Sequence, residues 1–374
     1  MAVKGVYTPA EQEMLDRFDR AAGQIAAGAD DRTVHVTEET ILINARWGDF
    51  WNPLWRDRQY AAATKWGGII APPCYEDCAG FSELYLCRPE GMYLYHRITG
   101  EDWNRFAPVR PGDTIHARHR RPTLTDVTGE DGIRRFRSVM NDCDIFNQDN
   151  VLVASCQTHV EYELLTQPRN VPEWHDHIYT KEAQDDIRDM IAGEFLRGGT
   201  PLGWDDITVG AILPANTMGA VNIWDAICFN TASQVRPFSP RRAFEHAADR
   251  GIMITDPATY VPHVIWERHY NNTVARICGE PRAFQFAQAI RPQFARLLTN
   301  WAGDSAFVRS LSWKQNCLSY YGEAEIITGE VTNKTRDSAG NILVSVRLSA
   351  YNLARQTVSN TGCAVVELPG SQDA

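Results

Sequence analysis

No stretch of the 374 residues approaches the roughly 20 consecutive apolar residues that span a bilayer as a helix. Residues 1–13 (MAVKGVYTPAEQE) contain no apolar core of the secretory kind, so the expectation is a soluble, cytoplasmic protein without a membrane partner. Positive charge is also short: 37 Lys and Arg stand against 47 Asp and Glu, a net charge of −10. Binding to nucleic acid draws on a surplus of cations, so nucleic acid is not an expected partner. A local basic pocket for one small anion remains compatible with that balance. The nine cysteines are an odd number with no C-x-x-C pair. The nearest two, Cys74 and Cys78, have no His or Cys at zinc spacing beside them. They read as reduced, mostly buried thiols. There is no G-x-S-x-G elbow, no Walker A loop and no G-x-G-x-x-G after a strand, so neither a metal nor a nucleotide cofactor is expected.

At roughly 100–200 residues per domain, the length suits two domains or one architecture built twice. Residues 8–27 carry Met14, Leu15, Phe18 and Ala22 at helical spacing. A short strand is expected at 34–36 and a helical stretch from Thr37 to Asn44. Strands follow at 114–117, 136–139, 143–147 and 151–162, with turns at Gly129–Gly132 and Asn147–Asn150 between them. Residues 165–203, with three prolines and one helical pattern at 181–195, read as a crossing segment. The last third repeats the pattern: a helix ends at 297–301, and strands are expected at 322–331, 342–351 and 361–368. Pro111-Gly112-Asp113 overlays Tyr321-Gly322-Glu323, and Asp131-Gly132 overlays Ala339-Gly340. Asn147-Gln148 overlays Asn352, and Val153-Ala154 overlays Ala364-Val365. Self-similarity over so long a period indicates a duplicated unit. Each unit reads as a long helix beside an antiparallel sheet of four or five strands, an α+β class. The expected organisation is a helical extension (1–33), a first repeat (34–165), a linker (166–203) and a second repeat (204–374).

The most informative segment is 47–74, WGDFWNPLWRDRQYAAATKWGGIIAPPC. Asp49, Asn52, Pro53, Leu54 and Ala61 fall on a G-D-x-N-P-L-H-x5-A pattern with one extra residue after Asp49. The runs PVRPGD at 108–113, LLTNWAGD at 297–304 and CAVVELP at 363–369 belong to the same grammar. In these the chain resembles the MaoC-like acyl dehydratases, which include the (R)-specific enoyl-CoA hydratases. The resemblance covers residues 34–369 and implies a double hotdog: two tandem repeats, each with a long helix wrapped by an antiparallel sheet. It also implies reversible hydration of a 2-enoyl-CoA to a 3-hydroxyacyl-CoA. In that family an Asp and a His hold the water, and a main-chain N–H binds the thioester oxygen.

The two repeats are unequal on this pattern. In the first, the His position is Trp55, which has no titratable group, and the N–H position 18 residues later is Pro73, which has no N–H. In the second, His269 lies six residues before Ala275, as Trp55 lies six before Ala61, and Ala287 follows 18 residues later with its N–H intact. The Asp position there is Val264 or, with the extra residue, His263. The resemblance therefore implies His269 as the acid–base residue and the N–H of Ala287 as the oxyanion donor. Glu267 and Asn271 are nearby polar candidates for the missing Asp, or else Asp49 reaches the same cleft from the first half. Asn52 and Arg291 complete the substrate-binding candidates, Arg291 as a cation for coenzyme A phosphates together with Arg296, Arg56, Arg58 and Lys65. Plainer readings stand beside these: Asp49 as a cap of the following helix, the arginines as a solvated face, and Trp47, Trp51 and Trp55 as core or as a plug in a former pocket. The missing Asp leaves room for a non-catalytic acyl-CoA binding subunit, and the fold leaves room for a thioesterase. A homodimer is possible, although one chain already pairs two repeats.

Overall fold

The computed structural model describes residues 2–82, 84–232 and 253–370. The chain opens with α1 (Pro9–Ala26). Thr8 and Glu11 form a reciprocal capping box there: the Glu11 N–H donates to the Thr8 hydroxyl at 3.3 Å and the Thr8 N–H to the Glu11 carboxylate at 2.8 Å. Then come β1 (Thr33–His35), α2 (Glu38–Gly48), a 3-10 turn (Pro53–Trp55), α3 (Arg58–Ala62) and α4 (Asp77–Gly80). The first half closes with β2 (Tyr93–Arg105), β3 (Thr114–His119), β4 (Thr123–Asp126), β5 (Arg134–Val139), β6 (Cys143–Phe146) and β7 (Leu152–Leu165). After α5 (Lys181–Ala192) the series recurs: β8 (Asn216–Met218), α6 (Ile223–Ala232), a small ribbon of β9 (Met253–Thr255) and β10 (Pro262–Val264), and a 3-10 turn (Ile265–His269). Next is α7 (Asn272–Ile277), and then a 3-10 turn (Ala287–Ala289) that runs into α8 (Ile290–Ala302). The strands β11 (Phe307–Gln315), β12 (Glu325–Arg336), β13 (Ile342–Asn352) and β14 (Thr357–Leu368) finish the chain.

All these strands except the β9–β10 ribbon belong to one antiparallel sheet. Its order is β1-β3-β6-β7-β2-β11-β14-β13-β12-β8, with the β4–β5 hairpin also on β7. This is the expected double hotdog. The duplication is visible atom by atom. Gly112 and Gly322 both take a left-handed φ, 96° and 94°. Gly112 N–H donates to Val36 and Gly322 N–H to Val221, while Val36 and Val221 N–H groups donate back to Asp113 and Glu323 carbonyls. Asp113 and Glu323 carboxylates each accept the N–H three residues earlier.

One expectation needs correction. Only the second half has the long central helix. α8 is buried on nearly all sides and packs on β11, β12 and β14, with Phe294, Leu297 and Leu298 inaccessible to solvent. Its first-half counterpart, α4, is four residues long. The reason is local: the Ser82 N–H donates to the Asn141 side chain at 2.8 Å and the Gly80 carbonyl meets His119 Nε2 at 3.2 Å, so sheet side chains take the groups that another helical turn would use. The chain then runs extended past Tyr85, and the apolar residues of α1 (Met14, Phe18, Ile25) share one core cluster with Tyr85, Phe136 and Tyr162.

The halves join along β2 and β11, which pair from Gly100↔Lys314 to Asn104↔Ser310 about a midpoint at Asp102↔Ser312. A Cβ at Gly100 would stand 2.2 Å from the Trp313 carbonyl, so this close approach requires glycine. Two-fold symmetry about that midpoint relates Trp103 to Trp313. Both indole N–H groups donate to one oxygen of Glu101, each at 3.1 Å. Arg291 reaches the same carboxylate at 2.6 Å and Asp77 at 2.7 Å, all three side chains being buried. Burial alone would weaken the Arg291 charge, but Asp77 and Glu101 outweigh it and keep the guanidinium protonated. Replacing Arg291 with Met strands two buried carboxylates and should cost about 3–5 kcal/mol in urea unfolding. Replacing the exposed Arg58, paired with Glu38, should cost under about 1 kcal/mol.

A candidate active site between the halves

A cavity of about 980 Å³ lies where the first-half helix is short. Both halves line it: His96, Phe136 and Tyr162 from the first-half sheet, and Arg268, His269, Phe286 and Ala287 from the second half. His269 ends the 3-10 turn after β10 and is 4% exposed. Its Nδ1 lies 2.9 Å from the Phe284 carbonyl. A carbonyl only accepts, so Nδ1 carries the proton and Nε2 is left with its lone pair. The ring stacks on Phe286 with centroids 3.9 Å apart and meets Phe284 edge-on at 4.7 Å. The Tyr321 hydroxyl donates to the His269 main-chain carbonyl and holds the turn from behind. Burial, then the neighbouring Arg268 charge, push the imidazole pKa well below the ordinary histidine range; the Phe284 carbonyl opposes them. The resting imidazole is therefore neutral.

Ala287 follows Phe286 and opens the helical segment that continues as α8. A residue in the first turn of a helix has no carbonyl one turn earlier to receive its N–H. Ala287 lines the cavity, one residue from the ring that stacks on His269.

The other sequence candidates go elsewhere. Glu267 lines the cavity but turns away from His269: one carboxylate oxygen accepts the Val264 N–H at 3.0 Å, the other meets His263 Nδ1 at 2.7 Å. Asp49, Asn52, Asn271 and Arg291 are not among the residues lining it. Asp49 is buried at the end of α2 and caps no following helix, since Asp57 caps α3. Its carboxylate accepts the Trp55 indole N–H at 2.9 Å, the Thr299 hydroxyl at 3.3 Å and the Asn52 amide at 3.4 Å. Burial raises its pKa against those hydrogen bonds. Asn52 accepts the Leu54 N–H at 3.0 Å, and Asn271 caps α7 through the Thr273 N–H at 2.9 Å. Arg291 is consumed by Asp77 and Glu101. Arg296 pairs with Glu194 at 3.3 Å. Other cations line the cavity besides Arg268: Arg97 and Arg137 on the sheet share Glu161, and Arg135 on the sheet and Arg169 just beyond β7 share Glu163.

Residues 24–156 match a family described as "FAS1-like, dehydratase domain region". A solved MaoC-like dehydratase superposes with a TM-score of 0.56 at 15% identity, over 91% of this chain and 96% of its own. The fold is that of the MaoC-like dehydratases. A putative MaoC domain protein dehydratase from Chloroflexus aurantiacus gives a TM-score of 0.50 at 12% identity, over 91% of this chain and 93% of its own. No curated protein matches the chain. Among the described residues, no helix is long and apolar enough to cross a membrane.

Two cavity residues escaped the sequence reading, His96 and Arg268. His96 sits on β2, whose Arg97, Glu101, Asp102 and Arg105 hide the strand alternation. Arg268 belongs to no motif; only its adjacency to His269 marks it. The Asp49 contacts yield one expected outcome: Asp49→Ala leaves the buried Trp55 indole N–H without its acceptor and should lower stability by about 1–3 kcal/mol in urea unfolding.

Proposed function

We propose that the protein adds water reversibly across the C=C of a 2-enoyl-CoA thioester, a hydro-lyase reaction that needs no cofactor. The observation that carries this reading is the neutral His269 imidazole on a cavity wall, stacked beside the N–H that opens the α8 segment. His269 Nε2 takes a proton from water as the hydroxyl oxygen bonds to Cβ of the substrate. The π electrons move to the thioester oxygen, which the Ala287 N–H and the positive end of the helix stabilise. The imidazolium then returns its proton to Cα, giving the 3-hydroxyacyl thioester. The Phe284 carbonyl keeps the tautomer through both steps, the place usually given to a carboxylate. For the phosphates of coenzyme A, the half-exposed arginines around Glu161 and Glu163 replace the buried Arg291 as the proposed cations.

The carbonyl partner also favours a second reading, an acyl-CoA binding subunit without turnover, since a carbonyl stabilises imidazolium less than a carboxylate does. Loss of the enoyl absorbance on mixing with a 2-enoyl-CoA separates the two. Release of free thiol from a saturated acyl-CoA would point to thioester hydrolysis instead. His269→Ala should lower kcat by about 10²–10⁴-fold, whereas Asp49→Ala should retain turnover once allowance is made for its stability. Unchanged turnover in His269→Ala removes this residue from the mechanism.

The pH dependence follows from the depressed pKa. The base form of His269 persists as pH falls through the ordinary histidine range and is lost only below it. The acid limb of kcat/KM should therefore lie below about pH 6.5. A limb at or above that value would contradict the neutral, buried base.

A further inference from the structure

Among the described residues, four arginines are buried: Arg105, Arg134, Arg268 and Arg291. Three of them hold carboxylates. Arg105 pairs with Glu76 at 2.9 Å, Arg134 with Glu11 and Asp126 each at 2.9 Å, and Arg291 with Asp77 and Glu101. Arg268 is the exception. Among the described residues no carboxylate lies within ion-pair distance of it, although it is 8% exposed and lines the cavity. Its Nη1 donates to the main-chain carbonyl of His96 at 3.3 Å, and its guanidinium carbon lies 5.5 Å from the Phe284 ring centroid. Its Nε is buried without a partner. The neighbouring carboxylate, Glu267, is committed to Val264 and His263. The nearby Cys278 thiol is held neutral by burial, which outweighs the pull of Arg268. An unpaired buried cation is costly unless something pairs it.

A second unpartnered nitrogen stands beside it. His96 Nε2 is buried with no hydrogen-bond partner, in a ring 4.5 Å from Tyr85 and 5.9 Å from Tyr162. His96 also lines the cavity.

We propose that Arg268 and His96 form a subsite for a carboxylate carried on the acyl part of the substrate, so that the enzyme acts on thioesters of dicarboxylic acids. The proposal rests on the reading of the cavity as a thioester pocket. A carboxylate has the single negative charge that one arginine beside a neutral imidazole balances, and it can use two guanidinium N–H groups side by side. A phosphate is doubly charged and strongly hydrated. It suits the half-exposed arginine ladder at Glu161 and Glu163 better than a position beside His269 and Phe284.

The test measures binding, without turnover, of glutaryl-CoA and its terminal methyl ester by titration calorimetry. Neither ligand has a C=C to hydrate, so the result is independent of the reaction proposed above. The wild-type protein should bind glutaryl-CoA about 10- to 100-fold more tightly than the ester, the range of a hydrogen-bonded charge. In Arg268→Met that ratio should collapse towards one, and in His96→Phe it should fall part of the way. Equal affinity of the wild type for both ligands overturns the subsite, and this arm requires no variant to fold. Equal weakening of both ligands by Arg268→Met, with the ratio kept, would assign Arg268 to the coenzyme A phosphates and overturn it too. A carboxylate preference without hydration of any enoyl-CoA would sink the reaction and leave the subsite standing.

Discussion

One buried ionic knot governs how the halves meet. Arg291 stands four residues after Ala287, and Asp77 stands four residues after Pro73, so the two occupy the same position in their repeats. Across the two-fold axis they form an ion pair, which only unlike residues at equivalent positions can do. Glu101 and the symmetry-related Trp103 and Trp313 complete the knot. A buried arginine with two carboxylates needs the accessory hydrogen bonds that the indoles supply. Because Arg291 lies in the first turn of α8, the knot also fixes where that helix begins. The Ala287 N–H and the Phe286 ring under His269 are set by that start.

The same asymmetry shapes the cavity. In the second half, α8 covers the sheet with Phe294, Leu297 and Leu298. In the first half, helix formation stops at Gly80 and the facing sheet residues Phe136 and Tyr162 are left to line the cavity. The first half also places a buried indole against a carboxylate. The Trp55 indole N–H donates to Asp49 at 2.9 Å, so this carboxylate is bound by a side chain of the first half. Both repeats thus line one cavity, the first with the open face of its sheet and the second with the 3-10 turn and the start of α8.

The repeat and the hairpins β6–β7, β12–β13 and β13–β14 were legible in the sequence because they depend on local rules. Left-handed glycines at 112 and 322, alternating apolar residues and fixed spacings all act within a few residues. The two central strands were not legible. β2 reads YLYHRITGEDWNR, a loop-like run, because its Glu101 pairs across the joint with Arg291 and its Arg105 pairs with Glu76 of the first half. The fates of Asp49, Glu267, Asn271 and Arg291 were hidden for the same reason. Each is a polar residue whose partner is settled by the tertiary fold or by the local turn, and spacing alone does not distinguish a cap or an ion pair from a ligand contact. His96 and Arg268 come together only because β2 of one half passes the 3-10 turn of the other.

That juxtaposition bears on how a histidine without a carboxylate could work as a base. Burial and the Arg268 charge both oppose protonation of His269, and a main-chain carbonyl offsets them in part. The imidazolium is therefore a high-energy species in this site. A ligand carboxylate resting on Arg268 would cancel one of the two opposing effects and bring negative charge near the ring. The proton taken from water would then be held more easily at the moment it is needed. On the proposed reading, a thioester without a second carboxylate would leave His269 a weaker base.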